Sequence, residues 1–190
     1  MATEPKQIVT PEEYLRLDRS APLKSEYSDG QMYAMAGGSK RHSRILTNLA
    51  SDFGVQVLKA GCEIHYSELR LHVPATGLYT YPDIMVVCGD EKYLDEKFDT
   101  LLNPILIVEI LSPSTEDYDR GLKFRHYRSI PTLREYLIVA QDEVAIEQWT
   151  LSEGHWTLTE YGSPDAEVNI ACLPDIQLAI RAIYRRVLTA

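Results

Sequence analysis

The sequence is short of cysteine, of long apolar runs and of positive charge. Its three cysteines, Cys62, Cys88 and Cys172, are far apart, odd in number and without a Cys-x-x-Cys pair. That argues against a disulfide framework or a cysteine-rich zinc site, and all three are expected to be reduced and mostly buried. No apolar stretch approaches the roughly 20 residues of a membrane span. The opening Met1-Ala2-Thr3-Glu4-Pro5-Lys6 lacks the apolar core of a signal peptide. A cytoplasmic protein with no membrane partner is therefore expected. Lysine and arginine number 19 against 28 acidic residues, a formal net charge of -9. A tight, non-specific nucleic-acid binder usually has a basic surface, so this balance argues against that class without excluding a local basic groove. Three basic clusters stand out: Lys40-Arg41-His42-Ser43-Arg44, then Lys123, Arg125, His126 and Arg128, then Arg181, Arg185 and Arg186. Taken singly, each reads most simply as a solvated helix face.

What is present is ordinary for a soluble globular chain: 190 residues, 45% hydrophobic and 25% charged. That length suits one domain over 1–190, with 1–9 as a flexible tail. Thr10-Pro11-Glu12-Glu13 is a capping box with proline at the first helical position, opening a short helix to about Arg16. Ser25 to Tyr33 reads as a hairpin turning at Asp29-Gly30. Ser39 can cap a long helix whose apolar positions Ile45, Leu46, Leu49, Phe53, Val57 and Leu58 share one face, ending near Ala60 at Gly61. Strands are expected at Cys62–Tyr66, Leu69–Val73 and Asp83–Val87. Residues 89–103 are charged and expected to be partly helical. A strand around Glu109 follows, then a helix from Glu116 to Arg128 capped by Ser112 to Thr115. Strands at Glu135–Val139, Val144–Thr150 and Trp156–Tyr161 and a short final helix over Leu178–Tyr184 complete an α/β (α+β) chain with a central mixed sheet.

The chemistry is concentrated at two acids. Pro104-Ile105-Leu106-Ile107-Val108-Glu109-Ile110-Leu111 is apolar on both faces, the mark of a strand buried on both sides. An ionised Glu109 there must meet a cation, meet a metal or take up a proton, because its desolvation costs at least several kcal/mol. Asp83 heads a second apolar strand, Ile84-Met85-Val86-Val87. Alternation puts Glu109 on the face of Ile107 and Leu111, and Asp83 on the face of Met85 and Val87. If the two strands are neighbours, both carboxylates converge at one end of the sheet. There they would repel unless a cation such as Mg²⁺ lay between them. Lys123, on the next helix, is the candidate for stabilising charge in a transition state. Asp119, one turn earlier, could simply pair with it.

The ordered combination of Glu26-x-x-x-Gly30, His42 at a helix start, Pro82-Asp83, Val108-Glu109-Ile110-Leu111-Ser112-Pro113-Ser114-Thr115, and then Asp119, Lys123 and Tyr127 resembles the putative restriction endonuclease family. That family lies within the PD-(D/E)XK nuclease-like superfamily, and the resemblance spans roughly residues 10 to 185. It implies a restriction-endonuclease-like fold, a four-stranded mixed core sheet flanked by helices, and Mg²⁺- or Mn²⁺-dependent hydrolysis of DNA phosphodiesters. Asp83 matches the first motif acid and Glu109 the second, both as metal ligands, and Glu26 matches an acid contributed earlier in the chain. The superfamily's lysine normally sits two residues after the second acid. Leu111 occupies that position, and the resemblance implies that the lysine has moved to Lys123. His42, Glu68 and Tyr127 are accessory candidates. A homodimer is expected, since cutting both strands of a duplex suits a two-fold assembly. The competing reading is a non-catalytic binding or assembly protein on the same fold.

Overall fold

The protein is described from a computed structural model, which covers residues 8–35, 37–112 and 116–188. The chain opens with α1 (Pro11–Asp18), whose Thr10 cap accepts from the Glu13 amide at 3.3 Å. The strands β1 (Ser25–Ser28) and β2 (Gln31–Ala34) form the expected hairpin. Its turn needs positive φ at two positions, 49° at Asp29 and 78° at Gly30, residue types that tolerate it. Residues 1–7 of the expected tail lie outside the described residues. Val9 is tied down, its amide donating to Gly30 O at 2.9 Å and its carbonyl accepting from the Tyr27 hydroxyl at 2.9 Å.

The long helix α2 (Lys40–Lys59) is capped by Ser39 and stops before Gly61, whose φ is 76°. Seven strands and three short helical pieces follow in order. They are β3 (Cys62–Tyr66), β4 (Arg70–Val73), β5 (Leu78–Thr80), β6 (Ile84–Cys88), β7 (Thr100–Leu101), β8 (Leu106–Ile110), α3 (Glu116–Tyr118), a π-helical turn (Asp119–Lys123), α4 (Phe124–Tyr127) and β9 (Glu135–Val139). The chain closes with β10 (Ile146–Ser152), β11 (His155–Tyr161), β12 (Glu167–Asn169), β13 (Gln177–Ala179) and α5 (Ile180–Ile183). The cap expected at Pro113, Ser114 and Thr115 falls outside the described residues.

Six strands form the central sheet in the order β11-β10-β9-β8-β6-β3, two more than the resemblance implies. It is mixed: β8 and β9 run parallel, and the other neighbours are antiparallel. One face carries Ile84, Val86, Leu106, Val108 and Ile110 against Ile45, Leu49, Phe53 and Val57 of α2. The other carries Met85, Val87, Ile107 and Ile138 against Leu71, Val73, Leu78 and Leu101 of a second sheet and Tyr127 of α4. That second sheet has the order β2-β1-β5-β4-β7. The β8 strand is therefore buried on both sides, as its unbroken apolar run requires.

Three expectations change. Residues 89–103 hold no helix; the backbone is pinned instead by side chains, with Asn103 accepting from the Lys92 amide at 2.7 Å and Arg19 holding Asp95 and Asp99 at 2.8 and 2.7 Å. Leu178 belongs to a small hairpin of β12 and β13, because Val168 and Leu178 face each other across it and bury together; only one helical turn remains after it. The cysteines are not all reduced: Cys62 and Cys88 form a disulfide, leaving Cys172 free. They lie directly opposite on β3 and β6 with Cα atoms 4.4 Å apart, a juxtaposition that sequence spacing does not reveal. Thiol titration of the unfolded, unreduced chain should therefore find one thiol. Cys62→Ser with Cys88→Ser should lower stability in urea by about 3.5 kcal/mol, the loop-entropy value for a separation of 26 residues. Three titratable thiols would refute the bond.

Candidate active site

Four acids and one lysine meet where β6 and β8 come together at the end of the central sheet. The β6–β8 register pairs Ile84 with Val108, so one step further Asp83 stands opposite Glu109. Asp83 is fixed through Oδ2, which accepts from the Ile110 amide at 2.8 Å and lies 3.1 Å from His42 Nε2. His42 reaches it from the first turn of α2, on the other side of the sheet. Two residues before Asp83, the Tyr81 hydroxyl donates to Asp18, which also pairs with buried Arg70 at 2.6 Å. The segment leading into Asp83 is thus held from α1 and β4.

Glu109 is almost fully buried and contacts Lys123 Nζ at 3.0 Å, while the Tyr127 hydroxyl donates to the same oxygen at 2.6 Å. The π-helical turn aims both Asp119 and Lys123 inward, with Oδ1 to Nζ at 3.2 Å. Such widened turns concentrate at functional sites. Glu26 arrives from β1, 3.3 Å from Lys123 Nζ, and accepts from the Thr80 hydroxyl. Asp119 Oδ1 is buried and makes no hydrogen bond, so its contact with Lys123 is an ion pair only. The Tyr118 ring lies 5.8 Å from the ammonium.

The electrostatics follow from this excess of acid. Burial pushes the Glu109 carboxyl up to about 8 against the pull of Lys123, with the charges of Asp119 and Asp83 pushing the same way. Burial alone would draw Lys123 down, yet Glu109, Tyr127, Glu26 and Asp119 hold it well above 10.5. Burial also draws His42 down, and the hydrogen bond and charge of Asp83 more than offset it, leaving the imidazole raised above 6.5. Three acids touch one ammonium and Asp83 lies beside them on His42, so even with Glu109 protonated the acids outnumber the lysine, a buried negative excess that a hard cation would relieve. Among the described residues no group of three or more His, Cys, Asp or Glu side chains is placed to hold a metal ion. Mg²⁺ does not require such a group, being held by one or two carboxylates plus water and substrate oxygens. Asp83 and Glu109, opposite each other at the ends of β6 and β8, fit that two-carboxylate donor chemistry.

A family model described as putative restriction endonuclease, Uma2, matches residues 11–181. The chain belongs to this family. Two Synechocystis proteins, slr1290 and sll1609, both described as uncharacterized, are similar to it. The first is 39% identical over 178 residues, covering 93% of this chain and 92% of that protein. The second is 34% identical over 172 residues, covering 90% and 97%. A crystal structure of a putative nuclease from Anabaena variabilis shares the fold, with a TM-score of 0.77 at 21% identity over 93% of this chain and 97% of that one.

Set out on this Uma2-family fold, the residues picked from the sequence fall into two groups. Asp83, Glu109, Lys123, Glu26, His42 and Tyr127 are brought together. Glu68 is not: it lies on the turn after β3, exposed and paired with Lys24 at 2.6 Å. Asp119, which the sequence offers as part of the family pattern and as a partner for Lys123 but not as a site residue, and Thr80, which it does not offer, also belong to the cluster. The local spacing Asp119-x-x-x-Lys123 carries the signal for the first. Thr80 meets Glu26 only through the β1–β5 pairing, which nothing local in the sequence announces.

Proposed function

We propose that this protein is a divalent-metal-dependent nuclease that hydrolyses DNA phosphodiester bonds at the Asp83–Glu109 end of the central sheet. The observation that carries the reading is the buried negative excess, with Glu26, Glu109 and Asp119 on one lysine and Asp83 opposite Glu109. Asp83 and Glu109 would hold Mg²⁺ or Mn²⁺, which when bound supplies Lewis acidity and a water of lowered pKa. The protein's own part is orientation and charge. His42 and the Ile110 amide fix Asp83, and Tyr127 fixes Glu109. Lys123 places an ammonium where negative charge develops on the phosphoryl oxygens, the task the superfamily gives to the strand lysine replaced here by Leu111. Glu26, held by Thr80, keeps that ammonium charged and in place. Action on both strands of a duplex is consistent with a homodimer, to be read by sedimentation.

One observation favours the non-catalytic alternative: Lys123 already pairs with Glu26, Glu109 and Asp119, as a structural cation would. The test is cleavage of single- and double-stranded DNA with Mg²⁺ or Mn²⁺, beside metal-induced thermal stabilisation of the parent and of Glu109→Gln. The amide removes a carboxyl that burial disfavours, and Lys123 keeps two acids. The variant should melt at or above the parent temperature while losing both cleavage and the metal response. A large fall in melting temperature would make Glu109 half of a structural ion pair. A parent that neither cleaves nor responds to metal, across both ions and substrates, would establish the scaffold reading.

A further inference from the structure

Two of the three basic clusters, some 140 residues apart in sequence, meet in space. Arg44, Thr47, Asn48 and Ser51 of α2 and Arg185 and Arg186 of the C-terminal segment line one cavity of about 420 Å³. That lies within the ~300–1,000 Å³ of small-molecule sites. Asn48 builds the junction: it is buried, and its side-chain amide donates to Ile183 O at 2.8 Å and Arg185 O at 3.0 Å. The chain then turns through Arg186 at φ 60°, a left-handed conformation uncommon for arginine. These contacts hold the second cluster against the first.

The charges in this cavity lack the close acid partners that five other arginines have. Arg19, Arg41, Arg70, Arg120 and Arg181 each hold an acid within 3 Å. Among the described residues, Arg44 and Arg186 pair with no acid, and Arg185 reaches Asp52 only at 3.9 Å. Three guanidinium groups around one concavity repel each other, in a chain whose net charge is -9 and could readily supply partners. Planar guanidinium forks match phosphate oxygens. We infer that this cavity is a phosphate-binding site.

Its place on α2 favours a backbone phosphate of a nucleic acid as the source. His42 turns inward from the first turn of α2 to Asp83, whereas Arg44, Thr47 and Ser51 occupy the opposite, exposed face. A helix with its side chains is about 10–12 Å across. The cavity therefore lies at least one helix width from the carboxylate cluster, across α2 and the end of the central sheet, a separation that spans several phosphates along a strand. In naming the nucleic acid, this inference rests on the proposed function; the phosphate site itself does not.

The test is binding without metal. A fluorescent 20-base-pair duplex is titrated in EDTA at several salt concentrations against the parent and Arg44→Gln/Arg186→Gln. Inorganic phosphate is titrated against both by calorimetry. Both changed residues are exposed, and an unchanged melting temperature and metal response will show that the fold and carboxylate cluster persist. The double variant should bind duplex roughly 10–100-fold more weakly, about tenfold for each charged hydrogen bond lost. Its slope of log K against log salt should be shallower by about 0.9 for each phosphate no longer neutralised. Loss of inorganic phosphate binding with duplex binding unchanged would support the site and assign it to a free phosphate. Equal binding of both ligands by parent and variant would overturn it. A parent that fails to cleave DNA but shows the arginine-dependent binding would sink the nuclease reading alone.

Discussion

Asp83→Ala should reduce metal-dependent DNA cleavage by about 10³-fold or more. The size follows from the role proposed for Asp83. A bound divalent cation contributes several kcal/mol of charge stabilisation, and about 4 kcal/mol of barrier corresponds to 10³ in rate. The alanine variant also leaves the buried Ile110 amide without its acceptor and His42 without its partner. An unsatisfied buried donor costs about 1–3 kcal/mol, so part of any lost activity could come from a disturbed fold. Asp83→Asn separates the two effects, because its amide oxygen can still accept from Ile110 while its reduced charge weakens cation binding. It should melt close to the parent, lose the metal-induced rise in melting temperature and cleave as poorly as Asp83→Ala. Cleavage within a few-fold of the parent rate by the asparagine variant would remove Asp83 from the metal site.

The legibility of this site in the sequence was uneven, for physical reasons. A carboxylate inside an apolar strand announces itself, since burial without compensation is too costly to be incidental; Glu109 is found that way, and Asp83 by the same pattern. Their convergence depends on strand order and register, which local sequence fixes only as far as the face each residue points to. The β6–β8 pairing supplies the rest. Lys123 lies on a helix, where an isolated lysine is normally solvated, and only the family resemblance distinguished it. The inward aim of Asp119 and Lys123 comes with a π-helical turn that regular spacing does not foretell. The same limit explains the disulfide and the β12–β13 hairpin: each joins residues whose contact is set by tertiary pairing. The basic clusters show the converse. Arg44 and Arg186 each read locally as part of a solvated face, and only the Asn48 contacts that draw their segments together give them a shared cavity.

Lys123→Ala should lower the cleavage rate by on the order of 10²–10³, the effect of losing one preorganised donor. It should also destabilise the protein by about 3–5 kcal/mol, because removing the cation of a buried charge pair leaves its partners uncompensated. Here the partners are three: Glu109 at 3.0 Å, Asp119 at 3.2 Å and Glu26 at 3.3 Å. The stability loss arises from excess negative charge, so it should respond to anything that reduces that charge. Adding Glu109→Gln to Lys123→Ala should recover part of the loss, a positive coupling between the two sites. Mg²⁺ should stabilise the single lysine variant at least as strongly as the parent, since lysine is no ligand and its removal deepens the negative potential. Activity measured at saturating Mg²⁺, where the variant is folded, then reports the chemical role alone. A rate loss that persists there assigns Lys123 to the transition state. Recovery of the parent rate under the same conditions would make Lys123 a stand-in counter-ion, holding three acids together until the metal arrives.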